Sequence, residues 1–314
     1  MTKLVVAIGG NALLPANASG DASAQRRQIE ATSARLADLV EEGHEVVLTH
    51  GNGPQVGNIL LQNEESRHIV SAMPLDVCGA ESQAQIGYLL GQALGNEFGS
   101  RGIKRGVVCV VTQVLVDGTD PAFANPTKPI GPYYTREDEI IVKKAKGWKM
   151  VYDQRGGWRR VVPSPRPVEI IEADDIRKLI ADGDGGVIIA AGGGGIPVVR
   201  RDRRLVGVEA VIDKDLAAGL LARTIGWTHL VIATDVPQVA VDFGKPSQRF
   251  LDRLTLADAK KQLAAGQYPP GNMGPKIEAA IGYLERGGEH VVIADLEHMV
   301  AAVAGKAGTR ITRK

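Results

Sequence analysis

The sequence predicts a three-layer αβα sandwich, an α/β fold with a mainly parallel open sheet and a small protruding lid subdomain. Three observations point to it. Short runs of Val, Ile and Leu alternate with helical patterns along the 314 residues, the runs are apolar at every position, and one segment, residues 121–167, breaks the rhythm. Continuously apolar strands are covered on both faces, and strands separated by helices pair in parallel. Residues 1–314 read as one domain with 121–167 inserted as the lid.

Taken in order, the strand-like runs are Leu4–Ile8, Val46–Thr49, Val107–Thr112, Val187–Ala190, Leu230–Ala233 and Val291–Ala294. Between them lie helical patterns at Ala24–Glu42, Gln83–Phe98, Ala173–Asp182 and Asp213–Ile225. In the last of these, Leu216, Leu220, Leu221 and Ile225 recur at helical spacing, and Asp213 sits where an N-cap carboxylate accepts a backbone N–H. A further helix has Pro275 at its first position, a stripe of Ile277, Ala280, Ile281 and Leu284, and an end at Gly287 and Gly288. The 121–167 segment holds seven of the sixteen prolines, two of the three tryptophans, and ten Lys/Arg against four Asp/Glu. It carries +6, so the remainder carries −5 of the net +1. Its tryptophans argue against disorder, and its charge suits a lid over an anion.

Composition narrows the function. Forty-four per cent hydrophobic residues suffice for a core, while a net charge of +1 and 4% aromatics make nucleic acid an unlikely partner. Leu4–Ile8 is too short for a signal peptide, and no stretch approaches roughly 18 uninterrupted apolar residues, so no membrane association and a cytoplasmic location are expected. Cys78 and Cys109 read as buried free thiols, and the histidines show no metal-ligand spacing.

Three strands run into glycine turns: "IGGNALL" with Gly9, Gly10 and Asn11, "THGNGPQVG" with Gly51, Asn52 and Gly53, and "AAGGGGIP" with Gly193 and Gly194. Each turn follows the C-terminal end of a strand, the edge where open α/β sheets bind ligands. Glycine there lets backbone N–H groups approach an oxyanion, and Pro54 opens a helix whose N-terminus adds to the field. None of the three is a G-x-x-x-x-G-K-[ST] loop, and none is a dinucleotide fingerprint. Two helices also open with a lysine, Lys214 after Asp213 and Lys276 after Met273, Gly274 and Pro275. A cation in a first turn opposes the helix dipole, so one such lysine reads as a solvated surface residue. Two of them, beside three glycine turns, read as one site for a ligand with several negative charges. "TDVPQV", with Thr234, Asp235 and Val236, follows the fifth strand and lines a nucleotide pocket in this reading.

Phosphoryl transfer asks a protein for donors and cations around the equatorial oxygens, with Mg2+ bound through the nucleotide phosphates. The lysines supply the charge and the glycines the donors. Asp213 has a possible second task beside capping, that of holding both ammonium groups by charge-assisted hydrogen bonds.

With these loops in place the sequence resembles the amino-acid kinase family, and within it the carbamate kinases, over essentially the whole chain. The family-wide strings are "IGGNAL" (8–13), "THGNGPQVG" (49–57), the Gly192–Gly195 turn, "IDKD" (212–215), "TDV" (234–236) and "MGPKI" (273–277). Narrower in range are "MPLDVCGAESQ" (73–83), "DPAFANPTKPIGPYY" (120–134), "GGWRRVVPSPRP" (156–167) and "GGGGIPV" (192–198). The resemblance implies reversible phosphoryl transfer between ATP and carbamate, commonly run from carbamoyl phosphate and ADP toward ATP in arginine or purine breakdown, by a homodimer. It implies that Lys214 and Lys276 stabilise the transferring group, that Asp213 organises them, and that Lys128 of "PTKP" enters from the lid. Gly10, Asn11, Gly51, Asn52 and Gly53 would surround carbamate and the γ-phosphate. Phe243 stands where an aromatic with a hydroxyl is more usual near adenine, and Asn272 where a small hydroxyl residue is common. Carbamate needs no activating base, because its oxygen is already anionic. Two other readings remain at this stage: a kinase of the same fold acting on another small acid, and a sensor that kept the fold without turnover.

Overall fold

A computed structural model of the chain describes residues 1–14, 21–145, 147–153, 156–268 and 273–314. Eight strands form the main sheet in the order Arg253–Thr255, Thr309–Thr312, His290–Ala294, His229–Ala233, Lys3–Ile8, Glu45–His50, Val187–Ile189, Val107–Cys109. Neighbours are parallel except for Thr309–Thr312 against His290–Ala294. The uninterrupted apolar run of Lys3–Ile8 follows from burial on both sides. Val5 and Ala7 enter a core with helices Ala173–Asp182, Lys214–Thr224, Leu256–Ala264 and Met273–Glu285. Leu4, Val6 and Ile8 enter another, with Ala22–Glu41, Leu75–Arg101 and Met299–Val303. This is the three-layer sandwich that the sequence predicts, and no helix among the described residues is long and apolar enough to cross a membrane.

Most predicted strand ends are met within one residue. Val107–Thr112 is the exception, since the strand stops at Cys109 and the chain passes into a second sheet, ordered Arg204–Gly207, Ile196–Arg201, Gln113–Val116, Pro167–Ile170. The helix expected from Gln83 begins at Leu75, because Leu75 and Cys78 bury against Val56, Ile130 and Val162 rather than on the main sheet. The apolar stripe changes face partway along, which hides its period. That helix ends where Gly102 takes a left-handed turn at φ 69°. The helix expected from Pro275 begins by Met273, so proline is its third residue and Lys276 its fourth. Asn272 lies outside the described residues. Cys78 is buried, but Cys109 is exposed, because its strand is the edge of the sheet.

Within 121–167, strands Lys128–Tyr134, Gly157–Val162 and Met150–Asp153 form an antiparallel sheet beside helix Glu137–Ala145. This unit sits on helix Gly53–Ser66. Ile130 and Val162 pack with Val56, Leu75 and Cys78. The contact is tight at one point, where a Cβ on Gly57 would fall 2.7 Å from the Gly131 Cα. Nearby, Lys143 Nζ lies 3.8 Å from Glu64 Oε1, both side chains being buried, and 4.9 Å from the Trp148 ring centroid.

Candidate active site

The first two glycine turns meet at Lys214. A Cβ on Gly51 would fall 3.3 Å from the Gly10 nitrogen and 3.3 Å from Lys214 Cδ, so a side chain there would have to displace both. Gly9 precedes the short turn Gly10–Ala12, and Asn11 lies within that turn, its side chain outside the described part of the structure. The third turn closes on the other two. A Cβ on Gly193 would overlap the Asn52 amide, at 2.2 Å from Nδ2, and one on Gly194 would fall 2.4 Å from the Ile212 carbonyl oxygen. Both glycines have positive φ, 66° and 94°. Ala191, which leads into this turn, is left-handed at φ 52° without being glycine. Two threonines fix it: Thr112 Oγ1 accepts from the Ala191 N–H at 2.9 Å, and Thr49 Oγ1 donates to the Ala191 carbonyl at 2.9 Å. A residue in so sparsely populated a conformation persists only where its surroundings over-determine it.

Asp213 caps helix Lys214–Thr224, its Oδ1 accepting the N–H of Asp215 at 2.9 Å and of Leu216 at 3.5 Å. Its Oδ2 accepts from Lys128 Nζ at 2.6 Å, so the lysine of the inserted segment stands against the site. The sequence reading gave Asp213 the two helix-borne lysines. In the structure another carboxylate takes them: Asp215 Oδ1 accepts from Lys214 Nζ at 2.5 Å and Oδ2 from Lys276 Nζ at 3.2 Å. Asp215 is 3% exposed, and the lysine side chains 14% and 10%, so neither lysine is a solvated surface residue. Three ammonium groups and two carboxylates therefore lie at the glycine turns, joined as Lys128–Asp213 and Lys214–Asp215–Lys276.

The charges shape one another. Burial works against ionised Asp213, yet Lys128 and Lys214 outweigh it and hold the carboxyl down at about 2. Burial also opposes charge on Lys214, but Asp215 and Asp213 prevail and raise it above its ordinary value. Lys276 goes the other way, lowered by burial and by the Lys214 charge beyond what Asp215 restores.

His50 closes the back of the second turn. It is wholly buried, and burial pushes its pKa down to about 4, so it is neutral. Its Nδ1 donates to the Gly51 carbonyl at 2.9 Å, which fixes the tautomer and leaves Nε2 as a bare acceptor, against the Gly192 Cα. Asn52 is committed too, its Nδ2 donating to Ser82 Oγ at 2.8 Å. Among the residues expected at the nucleotide, Thr234, Asp235 and Val236 follow strand His229–Ala233, with the Thr234 N–H donating to the Ala294 carbonyl at 2.9 Å. Met273 and Gly274 are buried at the helix start, whereas Phe243 is 57% exposed between strands Val239–Val241 and Arg249–Leu251. Sequence reasoning missed Asp215, His50 and Ser82 here. Each had a signal in a quoted string, Asp215 in "IDKD", His50 in "THGNGPQVG" and Ser82 in "MPLDVCGAESQ", but none was singled out.

The model of the amino acid kinase family matches residues 2–295. A carbamate kinase of Thermococcus kodakarensis is 45% identical over 317 residues, covering 100% of both chains. One of Clostridium perfringens is 44% identical over 315 residues, covering 99% of this chain and 100% of its own. Among solved structures, carbamate kinase from Giardia lamblia bound to AMP-PNP superposes with a TM-score of 0.91 at 42% identity, over 99% of this chain and 98% of that one.

Proposed function

The chain belongs to the amino acid kinase family, and on that premise we propose that it catalyses ATP + carbamate = ADP + carbamoyl phosphate. The observation that carries the mechanism is the pair of linked clusters, Lys128–Asp213 and Lys214–Asp215–Lys276, at the glycine turns. A carbamate oxygen attacks the γ-phosphorus while the bond to the bridging oxygen of ADP breaks, and that oxygen keeps the electron pair. No proton need be removed, so a base is dispensable and charge placement is decisive. Lys214 and Lys276 stabilise the equatorial oxygens, with N–H donors from Gly9, Gly10, Gly53 and Gly193, while Gly51 and Gly194, whose own N–H groups donate to the Ile8 and Ala191 carbonyls at 2.9 Å and 3.0 Å, let the main chain come close to the ligand. Thr234–Val236, Phe243, Met273 and Gly274 hold the nucleotide.

Asp213 and Asp215 are already taken up by ammonium groups, which leaves the nucleotide phosphates as the ligands of a magnesium ion. A magnesium ion held there would supply positive charge against what develops on the β-phosphate. Lys128 meets the transferring group by exchanging Asp213 for a phosphoryl oxygen. We further infer a cytoplasmic homodimer, working toward ATP. Supporting a dimer, the edge strand Val107–Cys109 and its surroundings expose Val108, Val111 and Tyr88 at 44%, 49% and 58%.

A coupled assay with carbamoyl phosphate and Mg-ADP tests the reading, and rapid ATP formation is expected. Equal or faster turnover of acetylglutamate or aspartate with ATP would replace it with the kinase of another acid. Nucleotide binding without any turnover would leave the sensor.

A further inference from the structure

The site is supplied chiefly with donors: glycine N–H groups and three ammonium groups. These suit phosphoryl and carboxyl oxygens, but carbamate also presents an NH2 that can only donate, and it needs an acceptor. One side chain in the same turn has no task. Gln55 is the third residue of helix Gly53–Ser66, is 3% exposed, and has no hydrogen-bond partner among the described residues for either its amide oxygen or its amide nitrogen. Leaving a buried amide unpaired is costly, and a folded chain tolerates it best where a ligand completes it. Along the chain, the residues beside Gln55 meet the glycine turns. Pro54 stands 3.5 Å from where a Gly10 Cβ would be, and Asn52, at the cap of the same helix, abuts Gly193.

We propose that Gln55 determines specificity for the carbamoyl group, its amide pairing edge-on with the substrate. Oε1 accepts from the NH2, and Nε2 donates to the carboxyl oxygen that does not react. Both orphaned atoms are satisfied by one planar ligand edge. Because the reacting oxygen is the other one, the pairing persists from carbamate to carbamoyl phosphate. His50 Nε2, the other orphaned acceptor of this turn, is directed at the Gly192 main chain and does not compete for the role.

The inference rests on the carbamate reading, and the experiment separates the two. Acetyl phosphate replaces the NH2 with a methyl and keeps the rest. In the unmodified enzyme, failure to turn over carbamoyl phosphate would remove the carbamate reading itself. Given that turnover, Gln55→Leu should lower kcat/KM for carbamoyl phosphate on the order of tenfold to a hundredfold. The same variant should lower kcat/KM for acetyl phosphate by a factor about tenfold smaller, because that substrate loses the Nε2 bond but has no NH2 to lose, and should leave the KM for ADP unchanged. Gln55→Met, closer in length and shape, keeps the test open should the leucine variant not fold. An equal fall on both phosphates would mark Gln55 as merely structural, and unmodified kinetics on both would show it to be idle. Either result overturns the proposal.

Discussion

Lys214 and Lys276 share one carboxylate, each ammonium resting on a different oxygen of Asp215, at 2.5 Å and 3.2 Å. This accounts for two lysines in the first turns of helices, where the dipole disfavours them. Each helix places its cation at the site edge, and a buried acid keeps both charged and together. The arrangement is costly to the fold and useful only when an anion arrives.

Lys214→Met and Lys276→Met should therefore each lower kcat on the order of a hundredfold or more, as losing one oxyanion donor does. In either variant Asp215 keeps the other lysine, so the fold should persist. Circular dichroism and steady-state kinetics on both variants check this, and near-normal turnover in either one would remove that lysine from the mechanism.

The two lysines should separate in their pH dependence. Lys276 is lowered, by burial and by Lys214, so as pH rises it loses its proton before Lys214, which is raised. The alkaline limb of the kcat profile then belongs to Lys276. Lys276→Arg, charged throughout the range, should move that limb to higher pH, and Lys214→Arg should leave its position in place. A limb that stays put in Lys276→Arg would assign it to another group.

Asp213 links activity to stability. Its carboxyl, at about 2 against an ordinary 3.8, stabilises the folded chain by about 2 kcal/mol when ionised. A depressed carboxyl contributes fully above its unfolded pKa and loses that contribution as pH falls through the folded one. Asp213→Asn keeps an N-cap acceptor and removes the charge. Urea unfolding should show the variant less stable at pH 7, with the gap from the unmodified chain closing by about half near pH 3. A gap that does not change with pH would mean that only packing was lost.

Much of this was legible in the residues. Continuous apolar strands such as Leu4–Ile8 announce a covered sheet, and glycine after each strand announces a ligand edge. Asp213 at an N-cap was readable from its spacing alone. What was not legible depends on contacts between distant segments. The start of helix Leu75–Arg101 hides because Leu75 and Cys78 face the inserted unit rather than the sheet. Which carboxylate holds which lysine depends on how two helices are juxtaposed, since Asp215 and Lys276 stand 61 residues apart in the chain. The exposure of Cys109 depends on strand order, which local pattern does not encode. Gln55 stands in the string "THGNGPQVG", but its burial with both amide atoms unpaired shows only in the structure.

The remaining prediction concerns the lid, whose seat and whose lysine lie on one strand. Lys128 opens strand Lys128–Tyr134, and three residues on, Gly131 is pressed against Gly57 of helix Gly53–Ser66. The Gly57–Gly131 contact thus sets the height of Lys128 above Asp213. Gly57→Ala puts a methyl 2.7 Å from the Gly131 Cα, closer than two carbons tolerate, and backbone cannot rotate away as a side chain can. Gly131, at φ 72°, is itself in a conformation that favours glycine, so the strand has little freedom to adapt. The lid should lift, and the Lys128–Asp213 pair should lengthen or break. Expected are a kcat lowered about tenfold or more, approaching that of Lys128→Ala, and an unchanged KM for ADP, because the nucleotide loops lie elsewhere. Hydrogen exchange over residues 128–134 should quicken in Gly57→Ala. In the unmodified chain it should slow when ADP and a carbamoyl phosphate analogue are added. Unmodified kinetics in both Gly57→Ala and Lys128→Ala, with exchange indifferent to ligand, would leave the inserted unit without a part in catalysis.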